Sequence, residues 1–152
     1  MKRKICSWAL VVLWMALIFY FSHQPAAESN RLSTGIIEKV IEVVENIVPA
    51  IQPNPDNFNH IIRKAAHFSV YLVLGALVSN GLITGGKSER NSIILALSIC
   101  VLYAVSDEIH QLFIPGRSGE LRDVIIDSAG GLVGIIGFYS IRGRFNRKDR
   151  KR

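Results

Sequence analysis

Four residues able to take part in acid–base or metal chemistry lie close together in the segment YAVSDEIHQLFIPGR, at the end of a long apolar run. They are Asp107, Glu108, His110 and Gln111, which fall within about one and a half turns of a helix. A charged side chain near the centre of a bilayer costs about 2.5–3.5 kcal/mol. We therefore expect these groups to face other helices and to find partners there.

Two other apolar segments carry ionisable residues at helical spacing. Lys64, His67 and Tyr71 stand at i, i+3 and i+7, so they share one face of a helix. Asp123 and Asp127 stand at i and i+4 and share a face of the last apolar segment. The spacing predicts that separate helices present polar groups to one another.

The third apolar segment adds Tyr103, which shares a face with Asp107 and Gln111, whereas Glu108 points about 100° away from Asp107. Counting the rise per residue from the predicted loops places His67, Asp107 and Asp127 at similar depth. We predict a polar pocket at one end of a helix bundle. Four basic residues are expected around its mouth: Arg63, Lys64, Arg117 and Arg122.

Membrane-spanning helices must position these residues. Hydrophobic residues make up 49% of the 152-residue chain and are grouped in blocks. A bilayer core about 30 Å thick needs roughly 20 helical residues. Four segments approach that length: 5–21, 61–83, 92–113 and 124–141. The predicted fold class is all-α, a polytopic membrane protein whose four transmembrane helices form a single domain over residues 1–152.

A further amphipathic helix is predicted outside the spans. In STGIIEKVIEVVENIVPAI, residues 33–51, apolar residues recur at i, i+3 and i+4 while three glutamates occupy another face. Basic residues are scarce on the polar face, which argues against a helix that binds lipid headgroups. We expect this helix to pack on the bundle as an outer lid.

The basic residues predict the topology. Of the 18 lysines and arginines, 12 lie before the first span, between the second and third spans, or after the fourth. The positive-inside rule then places both termini in the cytoplasm, including the basic tail 142–152. In this context the tail is expected to contact anionic lipid, and no nucleic-acid partner is predicted. The first segment is read as a retained span because its apolar run exceeds that of a typical signal peptide.

Small residues and cysteines have structural interpretations. Gly130 and Gly134 form a small-residue face that lets a neighbouring helix approach closely. Cys6 and Cys100 stand at different depths, beyond the reach of a disulfide, and are predicted to be free thiols packed among apolar side chains.

Three functions are compatible with such a pocket. The first is binding of an anionic lipid headgroup, because arginine can bind phosphate through two N–H groups. In this interpretation Arg63, Lys64 and Arg117 contact the anion and the carboxylates orient them. The predicted ligand-binding residues are Arg63, Lys64, His67, Tyr71, Tyr103, Asp107, Glu108, Gln111, Arg117, Asp123 and Asp127.

The second function is catalysis at a lipid-linked phosphate, with Asp107, Glu108 or His110 acting on a proton or a divalent cation. The sequence contains no HExxH pair, paired CxxC, G-x-S-x-G or P-loop motif, so no cofactor and no metal-ligand set is assigned. The third is a structural or partner-binding role. The simplest alternative is that the acidic and basic residues only pair with each other and lock the helices together.

Three pieces of the sequence resemble the VanZ-like family of membrane proteins, which is named for teicoplanin resistance. The pieces are SHQP after the first span, RKAAHFSVYLVLG in the second, and YAVSDEIHQLFIPGRSGELRDVIIDSAGGLVG across the third and fourth. Relatives often carry Asn where this chain has Asp127. The resemblance implies a multi-pass protein of the bacterial cell membrane that affects glycopeptide susceptibility, and it implies no particular reaction.

Overall fold

Four long helices form the described part of the chain. The structure is a computed structural model and describes residues 1–29, 31, 34 and 55–149, with side chains omitted for 55–59 and 145–149. The helices are α1 (Lys2–Ser22), α2 (Pro55–Thr84), α3 (Glu89–Gln111) and α4 (Leu121–Asp149). The predicted outer helix, residues 33–51, lies outside the described residues apart from Thr34.

Each helix contains a stretch long and apolar enough to cross a membrane. These stretches are Lys2–Ser22, His60–Thr84, Glu89–Gln111 and Leu121–Arg144. Large apolar side chains also cover the outside of the bundle, where Leu13, Leu102 and Ile125 are more than half exposed. The structure confirms the predicted all-α polytopic fold.

Local chemistry sets where the helices begin and end. Ser88 caps α3 by accepting a hydrogen bond from the Asn91 amide at 3.4 Å, so α3 begins three residues before the predicted span. α1 ends at Ser22, just before Pro25, as its sequence predicts. At its C-terminal end, α4 continues as a helix past the predicted boundary at 141 and into the basic tail.

The loops at one end of the bundle are tied together. Gly116 adopts a φ of 76°, which lets the α3–α4 loop turn tightly. The Ala26 amide, four residues after α1, donates a hydrogen bond to the Pro115 carbonyl at 3.3 Å. We call this end, where α1 and α3 finish and α2 and α4 begin, the site end.

Glycines bring α2 and α4 into backbone contact. A Cβ on Gly130 would clash with the carbonyl of Phe68, and one on Gly134 with the carbonyl of Leu72. Gly75 of α2 makes the reciprocal approach to the α4 backbone. The predicted small-residue face is confirmed, and it holds the start of α2 close enough to α4 for short side chains to meet.

The core away from the site end is mostly apolar. Val11, Leu74, Val78 and Ile135 are buried in it. Cys100 is buried in the same core and is a free thiol, as predicted. Cys6 is also free, but it is exposed on α1, so its expected burial among apolar side chains is wrong.

Candidate functional site

Buried polar side chains from three helices meet at the site end. The buried acids and amide from α3 and α4 are Asp107, Glu108, Gln111, Asp123 and Asp127, all at most 5% exposed. α2 contributes Lys64 and His67, which are partly buried. All seven belong to the predicted ligand-binding set.

One group, which we call the lysine cluster, consists of Lys64, Glu120 and Asp123. The ammonium of Lys64 pairs with an Asp123 carboxylate oxygen and lies 3.2 Å from Oε2 of Glu120. The side chains of Lys64 and Asp123 are only 11% and 6% exposed, whereas that of Glu120 is 39% exposed. This cluster joins the start of α2 to the start of α4 by charge pairing.

A second group, which we call the histidine cluster, lies about one turn further along α2 and α4 and consists of His67, Glu108 and Asp127. Nδ1 of His67 lies 3.3 Å from Oδ1 of Asp127 and 3.5 Å from Oδ2, and only the longer contact has hydrogen-bond geometry. Each of the three residues offers one possible metal-ligand atom, and these atoms lie within 4.8 Å of one another. The cluster therefore brings together one imidazole and two carboxylates.

The carboxylates of the histidine cluster are incompletely satisfied. Oε2 of Glu108 accepts a hydrogen bond from the Glu120 amide at 2.8 Å. Among the residues that the structure describes, Oε1 of Glu108 and Oδ1 of Asp127 are both buried without a hydrogen-bond partner. Within the described part of the chain, neither carboxylate forms an ion pair with lysine or arginine. Burying a charged oxygen without a partner is costly, and buried polar atoms in proteins are nearly always paired.

The remaining polar face of α3 turns toward α1. Nε2 of Gln111 donates to Oγ of Ser22 at 3.0 Å and to Oδ2 of Asp107 at 3.3 Å. The Tyr103 hydroxyl donates to the Met15 carbonyl at 2.6 Å. Asp107 therefore faces α1, while the neighbouring Glu108 meets the loop into α4. This is the divergence that their 100° offset predicts.

A cavity of about 290 Å³ opens beside the histidine cluster, between α1, α2 and the α3–α4 loop. Its polar wall contains Ser22, Gln24, Arg63, His67, Tyr71, Asp107 and Arg117. Its apolar wall contains Ile18, Phe21, Ile62, Ala66 and Val70. The cavity thus joins two guanidinium groups, one carboxylate and apolar surface in one space.

Arg117 is held in place by backbone carbonyls. Its Nε donates to the Gln24 carbonyl at 2.8 Å and its Nη2 to the Phe21 carbonyl at 3.1 Å. Burial, followed by the neighbouring positive charge of Arg63, lowers the pKa of Arg117 from its ordinary value. In the described residues, neither arginine has a carboxylate within ion-pairing distance.

Two predicted residues lie outside this arrangement. Nε2 of His110 is 3.1 Å from Nδ1 of His23, and its ring packs 4.5 Å from that of Phe19. His110 therefore contacts α1 and lies outside the histidine cluster. Arg122 is exposed and is not part of the cavity wall.

Three residues at the site were missing from the predicted set. Ser22 and Gln24 line the cavity, and both belong to the SHQP piece of the family resemblance, which was the signal for them. Glu120 pairs with Lys64 from a loop position. Glu120 belongs to the third piece of the resemblance, but its loop position gave no helical spacing that would place it beside Lys64.

Comparison with known proteins supports the resemblance. The family model described as VanZ/LLP1 matches residues 7–142, which include both clusters and the cavity wall. No curated protein and no solved structure gives a significant match. Because the match extends over most of its length, this chain is a member of the VanZ/LLP1 family of membrane proteins.

Proposed function

We propose that the protein binds an anionic cell-envelope lipid through its headgroup, in the cavity at the site end. It would thereby affect susceptibility to glycopeptides such as teicoplanin. The observation that carries the proposal is the pair Arg63 and Arg117 in the wall of a partly apolar cavity.

The two arginines suit a phosphate or other anion. Burial and then the nearby positive charge of Arg63 lower the pKa of Arg117, and neither arginine has an ion-pair partner among the described residues. Arg117 uses two N–H groups on backbone carbonyls, and a guanidinium carries five. The remaining N–H groups of Arg117 are held in a fixed position, which reduces the entropic cost of ordering the side chain when an anion binds.

The rest of the cavity suits a lipid. Ile18, Ile62 and Val70 provide apolar surface next to the arginines. A volume of about 290 Å³ accommodates a headgroup or the end of a chain, near the lower limit for small-molecule sites. An anion attached to hydrocarbon matches both walls of the cavity, whereas a free anion matches only one.

The proposed topology is consistent with an envelope ligand. The distribution of lysine and arginine favours both termini in the cytoplasm of a bacterial cell. In that orientation the site end lies at the outer leaflet, where envelope lipids and glycopeptides meet.

Mass spectrometry of lipids that stay bound to the detergent-purified protein tests the proposal. We expect one anionic lipid to be enriched over its level in the host membrane, and to be lost from an Arg63→Ala, Arg117→Ala double variant. Strains that carry the wild-type protein and the double variant should differ in teicoplanin susceptibility if lipid binding is connected with that phenotype.

Arg122→Ala is the matched control, because this exposed arginine lies at the same end but outside the cavity wall. Its lipid profile should equal that of the wild type. Arg117→Lys separates the loss of the loop hydrogen bonds from the loss of positive charge. Unselective lipid in the wild type, or equal lipid loss in the Arg122 variant, would contradict the proposal.

A second candidate is an enzyme that hydrolyses or transfers a lipid-linked phosphate. It is favoured by the presence of His67 and Asp107 in the wall of the same cavity as the arginines. An imidazole and a carboxylate beside a bound phosphate can move protons. Release of phosphate from a lipid-linked diphosphate, abolished by Asp107→Asn, would support this candidate. Binding without turnover would support the lipid-binding proposal.

A further inference from the structure

We propose that His67, Glu108 and Asp127 form a binding site for one divalent transition-metal cation, of the Zn²⁺ or Mn²⁺ class. The site is separate from the arginine pair, and its existence does not depend on the lipid-binding proposal.

The donor set fits such a cation. One imidazole and two carboxylates supply nitrogen and oxygen ligands, and three protein ligands are usual where zinc keeps an open position. Manganese accepts the same atoms, whereas Mg²⁺ tends to keep its waters. Ligand atoms about 2.0–2.2 Å from a tetrahedral Zn²⁺ ion lie about 3.3–3.6 Å from one another. The three candidate atoms lie within 4.8 Å of one another, so the side chains would close by up to about 1 Å around the ion.

The charges also fit. Ionised Glu108 and Asp127 together carry two negative charges, and a divalent cation balances both. Oε1 of Glu108 and Oδ1 of Asp127 are the two buried acidic oxygens without hydrogen-bond partners in the described residues. Asp127 is 0% and Glu108 5% exposed, so water competes poorly for these oxygens. Both belong to residues of the proposed ligand set.

The neighbouring lysine cluster does not offer this chemistry. Its carboxylates, Glu120 and Asp123, already face the ammonium of Lys64. A cation there would meet a positive charge and would have to displace it. Each cluster contains two acidic residues. The lysine in one of them is what makes that cluster unsuitable for binding a cation.

The position of the cation would matter for the cavity. His67 belongs both to the histidine cluster and to the cavity wall. A cation held there would lie next to an anion bound by Arg63 and Arg117. It would add positive charge on the side of the cavity that now contains Asp107.

The site is tested by calorimetric titration. The protein, treated with chelator and kept in detergent, is titrated with Zn²⁺ alone and then with Mn²⁺ alone. We expect one cation per chain for at least one of the two metals, and a metal-dependent rise in melting temperature. Glu108→Gln and Asp127→Asn should each weaken binding by about tenfold or more, since each removes a charged ligand.

Two controls exclude other sources of binding. Glu120→Gln alters an acid of the lysine cluster and should leave the affinity unchanged. His23→Ala combined with His110→Ala removes the exposed histidine pair, whose nitrogens are 3.1 Å apart, and should also leave the affinity unchanged.

Binding lost with the histidine pair but kept in Asp127→Asn would overturn the proposal. No binding of either metal to the wild type would overturn it too, and would indicate that protons balance the carboxylates. Lipid retention is measured separately, so failure of the metal site and failure of the lipid-binding proposal can be distinguished.

Discussion

The lysine cluster and the histidine cluster lie one turn apart on the same two helices, yet they differ in how their charges are satisfied. In the first, the ammonium of Lys64 meets the carboxylates of Glu120 and Asp123. In the second, His67 makes one long hydrogen bond to Asp127, and two buried carboxylate oxygens have no hydrogen-bond partner in the described part of the chain.

This difference separates a structural group from a candidate site. Pairing accounts for Lys64 and Asp123, because each offsets part of the desolvation cost of the other and together they fasten α2 to α4. It does not account for Glu108, and it gives Asp127 no partner other than His67 among the described residues. Pairing of acidic with basic residues was the simplest alternative to a functional pocket, and it explains only the cluster nearer to the helix starts.

The largest effect on stability is expected from Asp123→Ala. The substitution leaves the nearly buried ammonium of Lys64 with only the more exposed Glu120. We expect the free energy of unfolding in detergent to fall by about 3 kcal/mol. Denaturant unfolding followed by circular dichroism measures this. Glu120→Gln is the control and should cost less than about 1 kcal/mol, because its side chain is 39% exposed. If both variants lost the same free energy of unfolding, the described pairing of Lys64 with Asp123 would be contradicted.

A smaller effect is expected from Asp127→Asn in the absence of metal. Asn can still accept a hydrogen bond from His67, and the substitution removes a buried charge that has no ion partner other than that histidine in the described residues. The free energy of unfolding in chelator should change by less than about 1 kcal/mol. A loss as large as that of Asp123→Ala would show that the two clusters are equally structural.

The smallest effect is expected from His110→Ala. The side chain stacks on Phe19 and His23 at the surface of α1 and touches neither cluster. Stability should change by no more than about 0.5 kcal/mol, and the profile of bound lipids should stay the same. A changed lipid profile would return His110 to the candidate site, where its sequence position alone had placed it.

Much of the fold could be predicted because the signals are local. Apolar runs of sufficient length predicted the four spans, and Gly130 with Gly134 predicted the close contact of α4 with a neighbour. The helix ends were less accurate, since Ser88 starts α3 earlier than the apolar run does. Hydropathy does not detect a cap of this kind.

The candidate site was predicted in composition but not in its pairings. Helical spacing placed Lys64 and His67 on one face, and Asp123 and Asp127 on another. The alternative enzyme interpretation also included His110 among its three candidate residues, although the rotation of α3 turns that ring toward α1. The rotation of α3 about its axis is set by packing between helices. It cannot be predicted from the spacing of residues along one helix.

The sequence by itself determined that this is an all-helical membrane protein with ionisable residues grouped at one end. Length, hydropathy and periodicity are properties of each segment alone, so they can be read before any segment meets another. The tertiary structure alone decided which acid meets which cation. Lys64 and Asp123 are 59 positions apart, and their contact depends on how α2 and α4 are offset and rotated against each other. The same offset leaves Glu108 and Asp127 beside a histidine, because the glycine contact between α2 and α4 fixes the register one turn further along.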